Sequence, residues 1–304
     1  DSSFNIKLLK LFNINVNKKI RWSVHGPVLD LDHGVYAIRY AAMNEIRQVE
    51  QWFRMNKARS FDEWESAVKL RYIPSLNCMY ADNEGNIFYL YNAAFPKRSS
   101  NYNWKDYLPG DTSESLWTEM EGYEYLPKIY NPDSGFLQNC NSTPFHATDG
   151  DDNPNPLDFP IELGIEMYMT NRALRAIEMF GQDPVISQND IFTYKFDMKY
   201  SENSAIAQYR DEILEANLPL DDPVINEAVK VLKEWDLNTN PDNKGAAIAI
   251  LSTKPYLKDY YEKIAEGELV ESFIEAAKLL KKKYGEIDVS WGEVNKMIRG
   301  RKKL

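Results

Sequence analysis

Asn77 stands in the apolar run Leu76-Asn77-Cys78-Met79-Tyr80, and an amide so placed can do chemistry that its neighbours cannot. Acyl transfer builds negative charge on a carbonyl oxygen, and a rigidly held side-chain N–H donates to that charge without reorganising. The same amide could instead bond neighbouring backbone, so the residue alone leaves both roles open. Arg98, a short way beyond, reads either as a surface-loop arginine or as a site cation. Asn139 and Asn141 brace a loop or line a pocket. The histidines at 25, 33 and 146 form no metal spacing, and there is no Cys-x-x-Cys pair, so neither a metal nor a cofactor is expected. His25, beside Gly26-Pro27, reads as a structural or pocket-lining residue and not as a general base. Asp149, Asp151 and Asp152 could attract calcium, but the rest of a binding loop is missing and Pro154 and Pro156 follow closely. A solvated acidic loop is the better reading.

The elements that hold these residues follow from pattern. Ile73 to Tyr80 and Ile87 to Phe95 are aromatic and β-branched on either side of Asn83-Glu84-Gly85-Asn86, which predicts an antiparallel hairpin with Asn77 inside its first strand. Alternation then puts Cys78 on the opposite face from Asn77, and Cys78 and Cys140 are expected as free thiols. Residues 4 to 42 alternate in two or three strand-like runs, Phe4 to Asn15 being one. Ala41 to Asn56 turns helical, and Ser60 with Glu63 resembles a capping box for a helix ending near Val68. Residues 96 to 160 are dense in Pro, Gly, Asn, Asp and Ser yet carry Trp104, Trp117, Tyr123, Tyr125, Tyr130 and Phe136, which suits an ordered functional loop region. Helices are expected over Asn171–Phe180, Ser187–Asp197, Ser204–Ala216, Pro223–Trp235 and Leu269–Tyr284. The fourth opens on Asp222-Pro223 and carries a stripe of Val224, Ala228, Val231, Leu232 and Trp235.

The chain has 304 residues, 43% hydrophobic and 27% charged, enough for a substantial core in one or two domains. A net charge of -10, with only short basic clusters at Lys281–Lys283 and Arg299–Lys303, argues against a general nucleic-acid binder. No stretch has the length and apolarity of a membrane span, and the first residues do not read as a secretory signal.

Leu76 to Asp82, then Glu84-Gly85-Asn86-Ile87, then Phe95-Pro96-Lys97-Arg98 resemble the β-subunit signature of the penicillin acylase family. These are N-terminal-nucleophile amidohydrolases that include acyl-homoserine lactone acylases. Further pieces agree in the family's order: His25-Gly26-Pro27-Val28, Gln51-Trp52 with Trp64, Leu126-Pro127, Asn131 to Phe136, Gln138 to Pro144, Asn171-Arg172-Ala173, Leu232 to Asp236, and Trp291 to Asn295. The resemblance runs along nearly the whole chain.

It implies an α+β fold, part of an αββα sandwich with a helical pocket-forming region. A sheet-rich part would occupy 1–110, an aromatic-rich loop region 111–160 and a mainly helical region 161–304, with the family continuing beyond the chain end. It makes Asn77 the oxyanion donor and Arg98 an active-site arginine that organises the nucleophile's amino group and Asn77. Asn139 and Asn141 would be pocket-side and His25 a pocket residue.

The family's nucleophile is the first residue of the mature β-subunit, a serine whose own α-amino group is its base, exposed by self-cleavage after glycine. It belongs well upstream of the hairpin, so Ser2 and Ser3 do not fill the role. Ser100-Asn101 lies on the wrong side of the hairpin, after Lys97-Arg98-Ser99. The expectation is an interior piece of a β-subunit, inactive alone, with an upstream α-subunit and the N-terminal part of the β-subunit as partners. Its substrate would be a small acylated molecule, in the periplasm or outside the cell. A non-catalytic binding or scaffold protein of the same fold is the alternative, which the upstream sequence would decide through the presence or absence of a Gly-Ser or Gly-Cys junction.

Overall fold

A computed structural model describes residues 2–8, 12–18, 20–253, 267–300 and 302–303. Positions 9–11, inside the Phe4 to Asn15 run, and Arg301 of the last basic cluster lie outside the described residues. The chain divides into two units, residues 1–132 with 153–166 and residues 133–152 with 167–304.

The first unit opens on a hairpin of β1 (Ser2–Leu8) and β2 (Phe12–Lys18), followed by an antiparallel meander of β3 (Arg21–Ser23), β4 (Gly26–Leu31) and β5 (Gly34–Ala37). The single run expected from Phe4 to Asn15 is thus divided between two strands. Gly26 begins β4 at φ +134°, where an added Cβ would stand 2.1 Å from the Ile38 carbonyl oxygen, so only glycine fits this entry. The helix expected from Ala41 starts later: residues 41–47 are turn and irregular backbone, with Asn44 at φ +72°, and α1 spans Gln48–Lys57. Helix α2 (Phe61–Val68) starts where Ser60 Oγ accepts from Glu63 N at 3.2 Å. Only half of the expected capping box forms, because the Glu63 carboxylate turns to the Arg59 backbone N–H at 2.8 Å and not to that of Ser60.

The predicted hairpin is present as β6 (Ser75–Ala81) and β7 (Ile87–Ala93). A third strand, β8 (Lys128–Tyr130), joins the far side of β7. The Asp82 carboxylate ties the turn together, accepting from the backbone N–H groups of Glu84 and Asn86 at 3.0 and 2.9 Å, from Asn86 Nδ2 at 2.9 Å and from the Tyr80 hydroxyl at 3.0 Å. Gly85 supplies the positive φ, +91°, that the turn needs. One face of this sheet packs Cys78, Phe88 and Leu90 against Trp64, Ala67 and Val68 of α2 and Met55 of α1. Gln51, fully buried, locks α1 to the chain entering β6: its Oε1 accepts from Tyr72 N and Ile73 N at 2.7 and 2.9 Å, and its Nε2 donates to Val68 O at 3.3 Å.

The second unit is mainly helical. It contains α3 (Asn171–Gln182), α4 (Gln188–Lys195), α5 (Ala205–Glu215), α6 (Pro223–Glu234), α7 (Ala246–Thr253), α8 (Glu268–Tyr284) and α9 (Trp291–Val294), and ends on the short pair β9 (Ile298–Arg299) and β10 (Lys302–Lys303). Helix caps fall where the side chains predict. Ser187 and Asp190 form a reciprocal box, and the Asp222 carboxylate accepts from Val224 N ahead of Pro223. The core joins α5 to α8 through Ile206, Ile213, Ala228, Leu232, Ile248, Phe273 and Leu280. Among the described residues no helix is long and apolar enough to cross a membrane.

Candidate active site

Strand alternation decides what Asn77 can touch. Cys78, 4% exposed, points into the core shared with α2, which turns Asn77 and Met79 to the other face of the sheet. Across the ladder Asn77 lies opposite Tyr91 and Met79 opposite Tyr89, so Tyr89 is the diagonal neighbour of Asn77 on that face. The Tyr89 hydroxyl donates to Asn77 Oδ1 at 3.2 Å. Tyr89 is 1% exposed, and burial with Tyr91 and Cys78 close by pushes its phenol well above the ordinary range. Tyr89 was not among the residues singled out in the sequence. The signal was there, since a turn at Asn83–Asn86 that sets Asn77 opposite Tyr91 also sets Tyr89 beside it.

Arg98 follows β7 and lies partly buried. Its Nη1 donates to Glu162 O at 2.9 Å, and its guanidinium stands 5.2 Å from the centroid of the Trp104 ring. Nε is buried with no hydrogen-bond partner among the described residues, and desolvation pulls the guanidinium below its usual pKa. Arg98 and His25 line one cleft of ≈ 510 Å³, together with Arg39, Trp104, Asp106 and Trp117. His25 is 8% exposed, its backbone N–H donates to Ser23 Oγ, and its Nε2 also has no partner among the described residues. Arg39, which sequence reasoning passed over, gives Nε and Nη2 to Trp117 O and lies 4.3 Å from that ring's centroid. The cleft thus gathers two arginines and a histidine around indole rings, a setting suited to negative or polarised oxygen. Asn77 is not part of its lining.

Asn139 and Asn141 belong to the second unit. Asn139 Oδ1 accepts from Asn141 N at 3.0 Å, and Asn141 holds φ +58°. Arg172, in the first turn of α3, donates to Asn141 Oδ1 at 3.1 Å and to Cys140 O at 2.9 Å. The pair therefore braces its loop onto a helix start. Cys140 and Arg172 also line a ≈ 430 Å³ cleft floored by Met179, Phe180 and Ile191. In the acidic loop Asp152 accepts from Asp133 N at 2.7 Å, a brace within the same unit. Both cysteines are free thiols.

The penicillin amidase family model matches residues 10–300. Penicillin G acylase of Escherichia coli is 32% identical over 127 residues, 40% of this chain and 15% of that protein. The fold is that of N-terminal-nucleophile hydrolases: the thermostable penicillin G acylase of Alcaligenes faecalis superposes with a TM-score of 0.64, at 18% identity, over 93% of this chain and 61% of that one. The chain thus spans less than two thirds of the length of either relative.

Proposed function

The chain belongs to the penicillin amidase family, and from that premise we propose that it supplies the oxyanion side of an amidohydrolase site that cleaves linear amides of acylated small molecules. In the whole enzyme a serine outside these residues attacks the amide carbonyl, Asn77 donates to the tetrahedral oxyanion, and water releases the carboxylic acid from the acyl-enzyme. The observation that supports this reading is the Asn77 carboxamide on a hydrogen-bonded strand, its oxygen engaged by a buried tyrosine. Arg98, partly buried with no carboxylate partner among the described residues, takes the role of organising the nucleophile's amino group, and His25 that of lining the pocket. Asn139 and Asn141 stand as substrate-binding candidates on the family resemblance of their segment. Candidate substrates are acyl-homoserine lactones, lipid-acyl amides and penicillin-type side chains. The first two are favoured because Asn131 to Ser142 resembles that branch, and hydrolysis of the lactone class would quench acyl-lactone signalling. An upstream α-subunit and the N-terminal part of the β-subunit are the expected partners, in the periplasm or outside the cell.

The test is Asn77→Ala in the matured full-length enzyme. Removing one oxyanion donor typically costs about 2.7 to 4 kcal/mol, roughly a hundredfold to a thousandfold in turnover, with KM little changed because the donor matters most once the oxygen is charged. Self-cleavage also passes through a tetrahedral species, so rates are compared on chains shown by mass to be cleaved. Undiminished turnover by a cleaved Asn77→Ala enzyme would leave Asn77 a structural strand residue. The 304 residues on their own are expected to hydrolyse no amide. Robust turnover, blocked by serine-directed reagents, would put the nucleophile inside them.

A further inference from the structure

We propose that Tyr89 is a positioning residue whose hydroxyl fixes which end of the Asn77 carboxamide serves the reaction, an inference that rests on the oxyanion role of Asn77. A primary amide is nearly symmetric in shape and opposite in chemistry at its two ends. Nδ2 stabilises an oxyanion, while Oδ1 in the same place repels it. An oxyanion donor therefore needs its flip decided in advance, and strand placement alone does not decide it. Tyr89 acts on that choice directly, because its hydroxyl donates to Oδ1 at 3.2 Å and so turns Nδ2 away from itself.

The geometry has little freedom. Both residues sit in the same two-stranded ladder, with Asn77 opposite Tyr91 and Tyr89 opposite Met79. Tyr89 is 1% exposed, and its neighbours Phe88 and Leu90 are buried on the other face of the strand, so the ring has no second position to occupy. The raised phenol pKa keeps the hydroxyl protonated, and hence a donor, across the range in which amidases are assayed. A hydrogen bond to the amide oxygen also polarises the amide and strengthens its N–H donors.

Tyr89→Phe keeps the ring and deletes only the donor. In the matured enzyme it is expected to lower kcat about five- to tenfold, the worth of one buried hydrogen bond, with KM nearly unchanged. The decisive comparison repeats the substitution in an Asn77→Ala background, where no amide remains to orient and Tyr89→Phe should lower kcat no further. An equal loss in both backgrounds would make Tyr89 a packing residue, and no loss in the first would remove the role outright. Normal turnover by Asn77→Ala alone would instead sink the oxyanion reading, and the orientation role with it. Maturation is confirmed by intact mass before rates are compared. A Tyr89→Phe chain that folds but does not mature is scored on its self-cleavage rate, where the same two backgrounds discriminate the same outcomes.

Discussion

Cys78 and Asn77 are adjacent in sequence and opposite in environment, and the thiol reports on that difference. Burial pushes the Cys78 thiol up to about 11 from its ordinary 9.0. The folded state therefore favours the protonated thiol. That stabilisation is fully present below the unfolded value near 9 and is lost as pH rises through about 11, on the order of 3 kcal/mol in all. Urea midpoints at pH 8 and pH 11 should fall further for the wild type than for Cys78→Ala, and equal falls would show that the thiol does not contribute. Alkylation without reductant should label both cysteines in denaturant. Without denaturant Cys140 should react first, because it is partly exposed and Cys78 is not.

Among elements, α1 and the entry to β6 depend on one side chain. Gln51→Leu would take the accepting oxygen from the Tyr72 and Ile73 N–H groups, while the Val68 carbonyl would keep the Arg71 N–H at 3.0 Å, and a buried N–H left so costs about 1–3 kcal/mol. Chemical denaturation should show a loss of at least that size, whereas a neutral result would mean that water reaches these groups. The hairpin was legible because alternation and a glycine turn agree, and most helices were legible because cap residues precede apolar stripes. Strand β8 was not, since Lys128-Ile129-Tyr130 is too short to show a period and pairs with residues about forty positions earlier. Helix α7 is apolar nearly all round and offers no polar face to set its period. Ile225, fully buried, belongs to the stripe of α6 and was passed over for Val224, which is only partly buried. For the site, sequence pattern put Asn77 on its strand, but the Tyr89 hydrogen bond and the joining of His25 with Arg39 and Arg98 depend on register and on a meander whose strands are only three to six residues long.

On the scale of the molecule, each unit carries a core of its own, one around β7 and α2 and one among α5 to α8. Native-state hydrogen exchange should therefore find its slowest amides in two places, Phe88 to Leu90 of β7 and the buried turns of α6 and α8, with fast exchange in the irregular stretch after Arg98. A single slow cluster confined to the helices would contradict the aromatic core of the first unit. The knot around Asp82 bears on how the first of these cores is reached. Its bonds span only Tyr80 to Asn86, whereas the Asn131 contacts that bring in β8 reach back 44 residues. Short loops close in well under a microsecond and hairpins within about ten, so β6 and β7 can zip up on a ribosome before β8 has been translated. A slip of one residue at that early step would exchange Asn77 for Cys78 across the sheet, burying the amide and baring the thiol, and an acidic residue in a surface turn thereby guards the face on which a distant amide is presented.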